Sequence, residues 1–119
     1  MHIFIVDDDR SFGRSLARLL NLKGYFAHYF ETAQSFLDSV PSDQKGLAIV
    51  DIHMPECNGF SLMNMMREMH YIMPAIMVTG QTQADTRDIS LQQGAIGFLQ
   101  KPFNEQSILA LIESAGKME

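Results

Sequence analysis

Residues 47–55 read Leu-Ala-Ile-Val-Asp-Ile-His-Met-Pro, so four apolar residues run directly into a carboxylate. A short apolar run that is bounded by turn formers is typical of a strand buried on both faces of a parallel sheet. Because a charge is costly inside such a strand, we expect Asp51 at its carboxyl end, in contact with water. Pro55 cannot join a sheet ladder and Asn58-Gly59 is a turn pair, so the chain must turn soon afterwards. Considered by itself, Asp51 is better explained as a strand-end aspartate that takes part in no reaction.

The rest of the chain alternates between strand and helix patterns around this stretch. Apolar runs predict strands near residues 2–6, 25–30, 47–51, 75–78 and 95–99, and helical spacing or caps predict a helix after each. Strands that alternate with helices imply a parallel sheet with right-handed crossovers and helices on both faces. We therefore expect an α/β fold, a doubly wound (βα)5 arrangement with five parallel strands.

The length and composition of the chain limit the classes of protein to which it can belong. The 119 residues are close to the commonest size of a single domain, and the net charge is −5. An acidic chain of this kind argues against a nucleic-acid-binding surface, because phosphate contacts need clustered lysine and arginine. There is one cysteine, Cys57, and no apolar run long enough to span a bilayer. We expect no direct nucleic-acid partner, no membrane span and a reducing compartment.

Polar side chains follow four of the five predicted strands. They are Asp7-Asp8, Asp51, Thr79 and Lys101. Each has an ordinary explanation by itself: a solvated acidic turn, a strand-end residue, a turn hydroxyl and a surface lysine. In a parallel sheet, however, the carboxyl ends of all the strands lie along one edge, which is where ligands bind in open α/β sheets. The sequence therefore predicts three carboxylates, one hydroxyl and one ammonium at a single place.

Those residue types point to a metal and a phosphoryl group. Clustered carboxylates raise each other's pKa unless a cation intervenes. The sequence shows no cysteine set and no paired histidines that would favour zinc, whereas oxygen ligands favour Mg²⁺. A metal site beside a lysine and a threonine hydroxyl suits a phosphoryl group.

Four motifs in order give the chain a family resemblance. They are Val6-Asp-Asp-Asp9, Asp51-Ile-His-Met-Pro55, Val78-Thr-Gly80 and Phe98-Leu-Gln-Lys-Pro-Phe103. Together they resemble the receiver domain of bacterial two-component response regulators, over essentially the whole chain. The Thr-Gly pair, the Lys-Pro-Phe ending and Phe-Leu-Asp at 36–38 are most similar to the FixJ-like group. The resemblance implies a flavodoxin-like receiver fold in a bacterial, cytoplasmic protein.

The resemblance assigns the metal and the phosphoryl group to particular residues. It makes Asp51 the phosphoacceptor, which takes its phosphoryl group from the phosphohistidine of a sensor histidine kinase. It makes Asp8, Asp51 and the backbone carbonyl of His53 direct ligands of Mg²⁺, with Asp7 acting through a metal-bound water. It places Lys101 against a phosphoryl oxygen.

The resemblance also implies a switch. Thr79 would hydrogen-bond the phosphoryl group, and Phe98 would turn inward when Thr79 moves. His53 and Gln81 match the two positions that tune dephosphorylation, although for His53 an exposed loop side chain is the slightly favoured interpretation. Lys101-Pro102 would be a cis peptide.

Domain organisation and partners follow from the same resemblance. Residues 1–119 would form one receiver domain, and an output domain, which FixJ-like proteins carry as a helix-turn-helix, would lie beyond them. We expect a phosphorylation-dependent homodimer through the face made by the fourth helix, the fifth strand and the fifth helix. The output would be transcription; a stand-alone receiver that regulates by protein contact is the alternative.

Three other functions compete with the receiver interpretation. A haloacid-dehalogenase-like phosphatase also uses a strand-end aspartate and Mg²⁺, and Asp7-x-Asp9 matches its first motif loosely, but the late acidic pair is missing. A pseudo-receiver would lack the intact acidic set. A flavodoxin-like flavin binder would need a phosphate-cradling loop after the first strand. We expect a phosphoacceptor, not an enzyme with turnover.

Two local expectations complete the sequence analysis. Residues 82–93 contain few apolar residues, and none is spaced to form a stripe, so we expect a short or weakly held fourth helix that phosphorylation orders. Cys57 should be a free, reachable and unreactive thiol beside the site.

Overall fold

The computed structural model describes residues 1–80 and 85–117 and shows strands and helices in strict alternation. The strands are β1 (His2–Val6), β2 (Phe26–Phe30), β3 (Leu47–Asp51), β4 (Ala75–Thr79) and β5 (Gly97–Gln100). The helices are α1 (Arg10–Leu22), α2 (Ala33–Ser39), α3 (Gly59–Glu68), α4 (Thr86–Gln92) and α5 (Glu105–Lys117). The predicted (βα)5 arrangement is confirmed.

A single sheet runs through the centre of the molecule in the order β2-β1-β3-β4-β5, and every pairing is parallel. Every residue of β3 and β4 is buried, in agreement with their continuous apolar runs. Strand β2 lies at an edge and is only partly buried. The strand that ends in Asp51 is therefore the central strand, and it is buried on both faces as its sequence predicts.

Two apolar layers cover the two faces of the sheet. On one face, α1 and α5 bury a cluster with the strands, which includes Ile3, Ile5, Leu16, Leu20, Ile49, Ile108 and Ile112. On the other face, α2 and α3 contribute to a cluster that includes Phe4, Val6, Phe36, Val50, Leu62, Met63 and Met66. Among the residues that the structure describes, no helix is long and apolar enough to cross a membrane.

Polar side chains fix the starting points of four helices. Asp9, Thr32, Asn58 and Asn104 each accept a hydrogen bond from the backbone N–H three residues ahead. These bonds satisfy amide groups that the first helical turn leaves without a partner. Gly24 follows α1 at φ 97°, a conformation that favours glycine and ends the helix.

Several element boundaries differ from the sequence-based prediction, because local hydrogen bonds keep the chain turning. The amide of Tyr25 donates to the Leu20 carbonyl, so β2 begins one residue later than predicted. The amide of Ala95 donates to the Ser90 carbonyl, so β5 spans 97–100 instead of 95–99. Helix α3 ends at Glu68, not at His70, which has φ 63°.

Helix α4 has seven residues and little apolar contact with the sheet. Its side chains Ile89 and Leu91 are 37% and 41% exposed, and its buried residue is Ser90, whose hydroxyl donates to the Thr86 carbonyl of the same helix. Asp85 makes no side-chain capping bond at its amino end. At its carboxyl end, Arg67 of α3 donates to the Gln93 carbonyl. The prediction of a short, weakly packed helix is confirmed for 85–92; residues 82–84 lie outside the described chain.

One histidine pair was not anticipated from the sequence. His2 on β1 and His28 on β2 place Nδ1 and Nε2 3.2 Å apart, with ring planes 14° from parallel. Both side chains are exposed; His2 is the first residue of β1, at the end opposite the predicted site, and His28 is in the middle of β2. Parallel pairing of β1 with β2 brings them together, which the linear sequence does not reveal.

Candidate functional site

The carboxyl ends of the strands bring the predicted polar residues to one edge of the sheet. Asp51 and Thr79 are the last residues of β3 and β4, Asp7 directly follows β1 and Lys101 directly follows β5. One carboxylate oxygen from each of Asp7, Asp8 and Asp51 lies within 4.8 Å of the others. The predicted convergence is therefore present in the structure, with Asp7 and Asp51 buried and Asp8 exposed.

Asp7 is held from three directions. Lys101 Nζ donates to its Oδ2 at 2.6 Å, and the amide of Asp9 donates to its Oδ1 at 2.9 Å. The hydroxyl of Tyr29 on β2 donates to its backbone carbonyl at 2.6 Å. Burial raises the pKa of the Asp7 carboxyl, while the Lys101 ion pair and the Asp9 amide oppose that rise.

Asp51 is buried at the centre of the site, with 4% of its surface exposed. The expectation that it meets water is therefore wrong, because Asp51 is packed among the carboxylates of Asp7 and Asp8 and the ammonium of Lys101. Burial raises the pKa of the Asp51 carboxyl to about 7, and the charge of Asp7 adds to the rise. Lys101 Nζ opposes it from 3.8 Å. Three carboxylates and one ammonium therefore meet at the site.

Lys101 lies between the two buried carboxylates and against an aromatic ring. Its ammonium is 2.6 Å from Asp7 Oδ2, 3.8 Å from Asp51 Oδ1 and 4.1 Å from the centroid of the Phe12 ring. The predicted cis Lys101-Pro102 peptide is present. Of the three carboxylates, Asp7 thus has the lysine as its partner.

The remaining predicted residues surround this centre. Thr79 is fully buried, and Phe98 is half-buried against the apolar cluster on the α2 and α3 face. The His53 side chain is exposed, as its slightly favoured interpretation predicts. Gln81 lies outside the described residues.

Two positioning side chains were missed from the sequence. Asp9 caps α1 by accepting a hydrogen bond from the Phe12 amide at 3.1 Å. Tyr29 reaches Asp7 because α1 carries Gly13 under the ring, where any Cβ would overlap it. An aspartate just before a helical apolar pattern is a capping signal, and it could have been used for Asp9. The Tyr29 contact has no signal in the local sequence.

Cys57 lines a cavity of about 330 Å³ beside the site, between α2 and the loop after β3. Apolar side chains such as Leu37, Met54 and Met65 line it together with Asp8, Glu31 and Glu56. Cys57 is a free thiol and half-buried, and burial raises its pKa. The thiol is therefore less ionised than an ordinary cysteine near neutral pH, which agrees with the predicted low reactivity.

The donor set of the site fits a divalent, oxygen-seeking cation. Three carboxylates meet within 4.8 Å, and no histidine or cysteine takes part in that group among the described residues. Hard oxygen ligands of this kind are those that Mg²⁺ uses in proteins. The charge of Asp7 contributes to the raised pKa of Asp51, and a cation bound between the two carboxylates would oppose that contribution.

Comparison with known proteins identifies one family. The family model of the response regulator receiver domain matches residues 3–113. The chain is 34% identical over 114 residues to the transcriptional regulatory protein FixJ of Bradyrhizobium diazoefficiens, covering 96% of this chain and 56% of that protein. It is 35% identical over 114 residues to the DNA-binding transcriptional regulator NtrC of Proteus hauseri, covering 96% of this chain and 24% of that protein. The chain thus spans about half or less of the length of these relatives.

Solved structures agree with the sequence relatives. The crystal structure of FixJ-N superposes with a TM-score of 0.90 at 28% identity, covering 99% of this chain and 94% of that one. A CheY-like receiver domain protein from Methanospirillum hungatei superposes with a TM-score of 0.85 at 29% identity, covering 99% and 98% of the two chains.

Proposed function

Because this chain belongs to the response regulator receiver domain family, we propose that Asp51 accepts a phosphoryl group from a sensor histidine kinase in a Mg²⁺-dependent reaction. The observation that carries the proposal is the buried Asp51 carboxyl at the end of the central strand, flanked by Asp7 and Asp8 and faced by the Lys101 ammonium at 3.8 Å. Receiver domains are regulatory and not classical enzymes, which disfavours the phosphatase alternative.

In the transfer, an oxygen of Asp51 forms a bond to phosphorus while the P–N bond of the donor phosphohistidine breaks. The imidazole leaves with the electron pair of that bond. Burial of Asp51 supports the step, because a poorly solvated carboxylate is a better nucleophile than one surrounded by water. Small phosphoryl donors would react in the same way.

Asp8, Asp51 and the backbone carbonyl of His53 would hold Mg²⁺, and Asp7 would act through a metal-bound water. The bound ion supplies positive charge to the phosphoryl oxygens during transfer. The supporting observation is the oxygen-only carboxylate cluster, which suits this ion.

Lys101 would neutralise the charge that the phosphoryl group brings. Its ammonium already lies 3.8 Å from Asp51, so a small movement away from Asp7 carries it to a phosphoryl oxygen. A preorganised cation at that place stabilises the transfer because it needs little rearrangement.

The switch would run from Thr79 through Phe98 to the face made by α4, β5 and α5. Thr79 would bond the phosphoryl group, Phe98 would turn inward and the face would form a homodimer, with Arg87, Asp88 and Lys117 as polar contacts. The three polar residues are exposed, and α4 is short and weakly packed, which supports a movable element there. His53 and Gln81 would tune the lifetime of the phosphoryl group.

The output would be transcription in the bacterial cytoplasm. Residues 1–119 would form the receiver domain, and an output domain would follow in the complete protein. The support is that FixJ and NtrC, two relatives named as transcriptional regulators, are longer than this chain.

Phosphorylation is tested by incubating the protein with Mg²⁺ and acetyl phosphate and measuring its intact mass. We expect one added phosphoryl group on the wild-type chain and on the control Asp43→Asn, an exposed loop aspartate. We expect none on Asp51→Asn. Equal, base-labile phosphorylation of the Asp51→Asn variant would contradict the assignment, and sustained release of phosphate from a phosphomonoester would favour the phosphatase.

Ordering of the switch is tested by hydrogen exchange and by light scattering, with and without beryllofluoride and Mg²⁺. We expect weak protection of residues 85–92 in the free protein, stronger protection in the bound form and a dimer only in the bound form. Strong and equal protection in both forms would contradict the proposed ordering of α4.

A further inference from the structure

Four contacts link the Lys101 ammonium, Asp7, Asp9 and Phe12 in a closed circuit. The amide of Asp9 donates to Asp7 Oδ1, and Asp9 Oδ1 in turn accepts from the amide of Phe12. The ring of Phe12 faces Lys101 Nζ at 4.1 Å, and Lys101 Nζ donates to Asp7 Oδ2 at 2.6 Å. The loop between β1 and α1 therefore presents both a carboxylate and an aromatic face to the same cation.

The Phe12 ring is itself fixed in place. Its backbone lies in the capped first turn of α1, and Phe103 packs against it edge-on, with centroids 5.7 Å apart and planes at 87°. An edge-to-face pair of this kind is a preferred aromatic arrangement and leaves the broad face of Phe12 available. The face that meets the ammonium thus has a defined orientation.

We propose that Phe12 is a positioning residue for Lys101, a role that rests on the proposed phosphoryl acceptance by Asp51. Lysine carries a compact charge on a flexible four-carbon stem, so its place must be set by its surroundings. A carboxylate attracts the ammonium to one point, whereas a ring face attracts it over an area. Phe12 therefore keeps Lys101 in the site while its ammonium leaves Asp7 and turns toward a phosphoryl oxygen on Asp51.

A role in packing alone is the competing explanation, since Phe12 is half-buried against the α1 and α5 layer. The two explanations predict different effects of replacing Phe12 with leucine and with tyrosine. Leucine restores an apolar side chain without a π face, and tyrosine restores the face. A packing residue would tolerate leucine at least as well as tyrosine.

The experiment measures beryllofluoride affinity at saturating Mg²⁺, and separately the Mg²⁺ affinity, for the wild type, Phe12→Leu and Phe12→Tyr. We expect Phe12→Leu to weaken beryllofluoride binding about fivefold and Phe12→Tyr to stay within about twofold of the wild type, as the loss of one partly desolvated cation–π contact implies. Mg²⁺ affinity should be unchanged, because the carboxylate cluster remains. Urea denaturation establishes that each variant is folded, and the chemical shift of the Lys101 ε-methylene reports its contact with the ring directly.

The outcomes separate this inference from the proposed function. Equal beryllofluoride affinity in Phe12→Leu and the wild type, or equal losses in the leucine and tyrosine variants, would overturn the role of Phe12 and leave phosphoryl acceptance standing. Absence of beryllofluoride binding by the wild type would overturn the proposed function itself.

Discussion

Replacing Asp51 with asparagine should stabilise the metal-free protein, and the gain should depend on pH. In the folded chain, burial and the neighbouring acids hold the pKa of Asp51 at about 7, compared with an ordinary value of 3.8. That difference corresponds to about 4 kcal/mol for the fully ionised carboxylate, at about 1.4 kcal/mol per pH unit. Asparagine has nearly the same shape and no charge.

The sign follows from which state binds the proton more tightly. Because the pKa of Asp51 is higher in the folded protein, its contribution to stability is fully present below the unfolded pKa and is lost as the pH rises through about 7. Burial of the asparagine amide also has a cost, which reduces the gain. We therefore expect Asp51→Asn to be more stable than the wild type by about 2 to 4 kcal/mol at pH 8 and by less than about 1 kcal/mol at pH 4.

Urea denaturation followed by circular dichroism measures this difference, since the chain has no tryptophan for fluorescence. A chelator keeps the samples free of metal, and the exposed Asp43→Asn variant controls for the loss of a surface charge. Added Mg²⁺ should stabilise the wild type more than Asp51→Asn. Equal stabilities at pH 8, or a difference that stays constant from pH 4 to pH 8, would refute the reasoning.

Three further changes test local features. Asp9→Ala should lower the free energy of unfolding by about 1 kcal/mol in urea denaturation, because α1 loses its cap; an unchanged value would contradict the capping role. Gly13→Ala should cost about 1 to 3 kcal/mol by overlap with the Tyr29 ring, part of which Tyr29→Leu should restore in the double variant; a more stable Gly13→Ala protein would argue against that contact. Alkylation of Cys57 should be slow at pH 7 and accelerate above pH 9, its ordinary pKa, and a rate at pH 7 equal to that of a small free thiol would be inconsistent with the raised pKa.

The fold could be predicted because its strands are short apolar runs with clear ends. The buried strand before Asp51, the element order and the shared edge of the sheet follow from periodicity and from the rule that parallel strands end on one side. The boundaries of β2, α3 and β5 could not be placed as well, since single backbone bonds such as that from Ala95 to Ser90 decide where the chain stops turning.

The residues of the site could be predicted from the sequence, but the contacts between them could not. Asp7, Asp51 and Lys101 are identified by their places after the strands, yet the pairing of Lys101 with Asp7 and its contact with Phe12 depend on distances of a few ångströms. The burial of Asp51 was missed for the same reason, because its neighbours Asp7 and Lys101 are distant from it in sequence. Sequence patterns report which face or edge a residue occupies, whereas contacts between elements require the folded chain.

The different attachment of the two ends of α4 has a mechanical consequence. The amino end has no side-chain cap from Asp85, while the carboxyl end is tied to α3 through Arg67 and the Gln93 carbonyl. Because the Ser90 hydroxyl bonds within the helix, that bond travels with the helix when it moves. Seven helical residues span about 10 Å, so a small rotation about the Arg67 tether displaces the amino end of α4 more than its carboxyl end. The geometry therefore places a pivot for α4 at its carboxyl end.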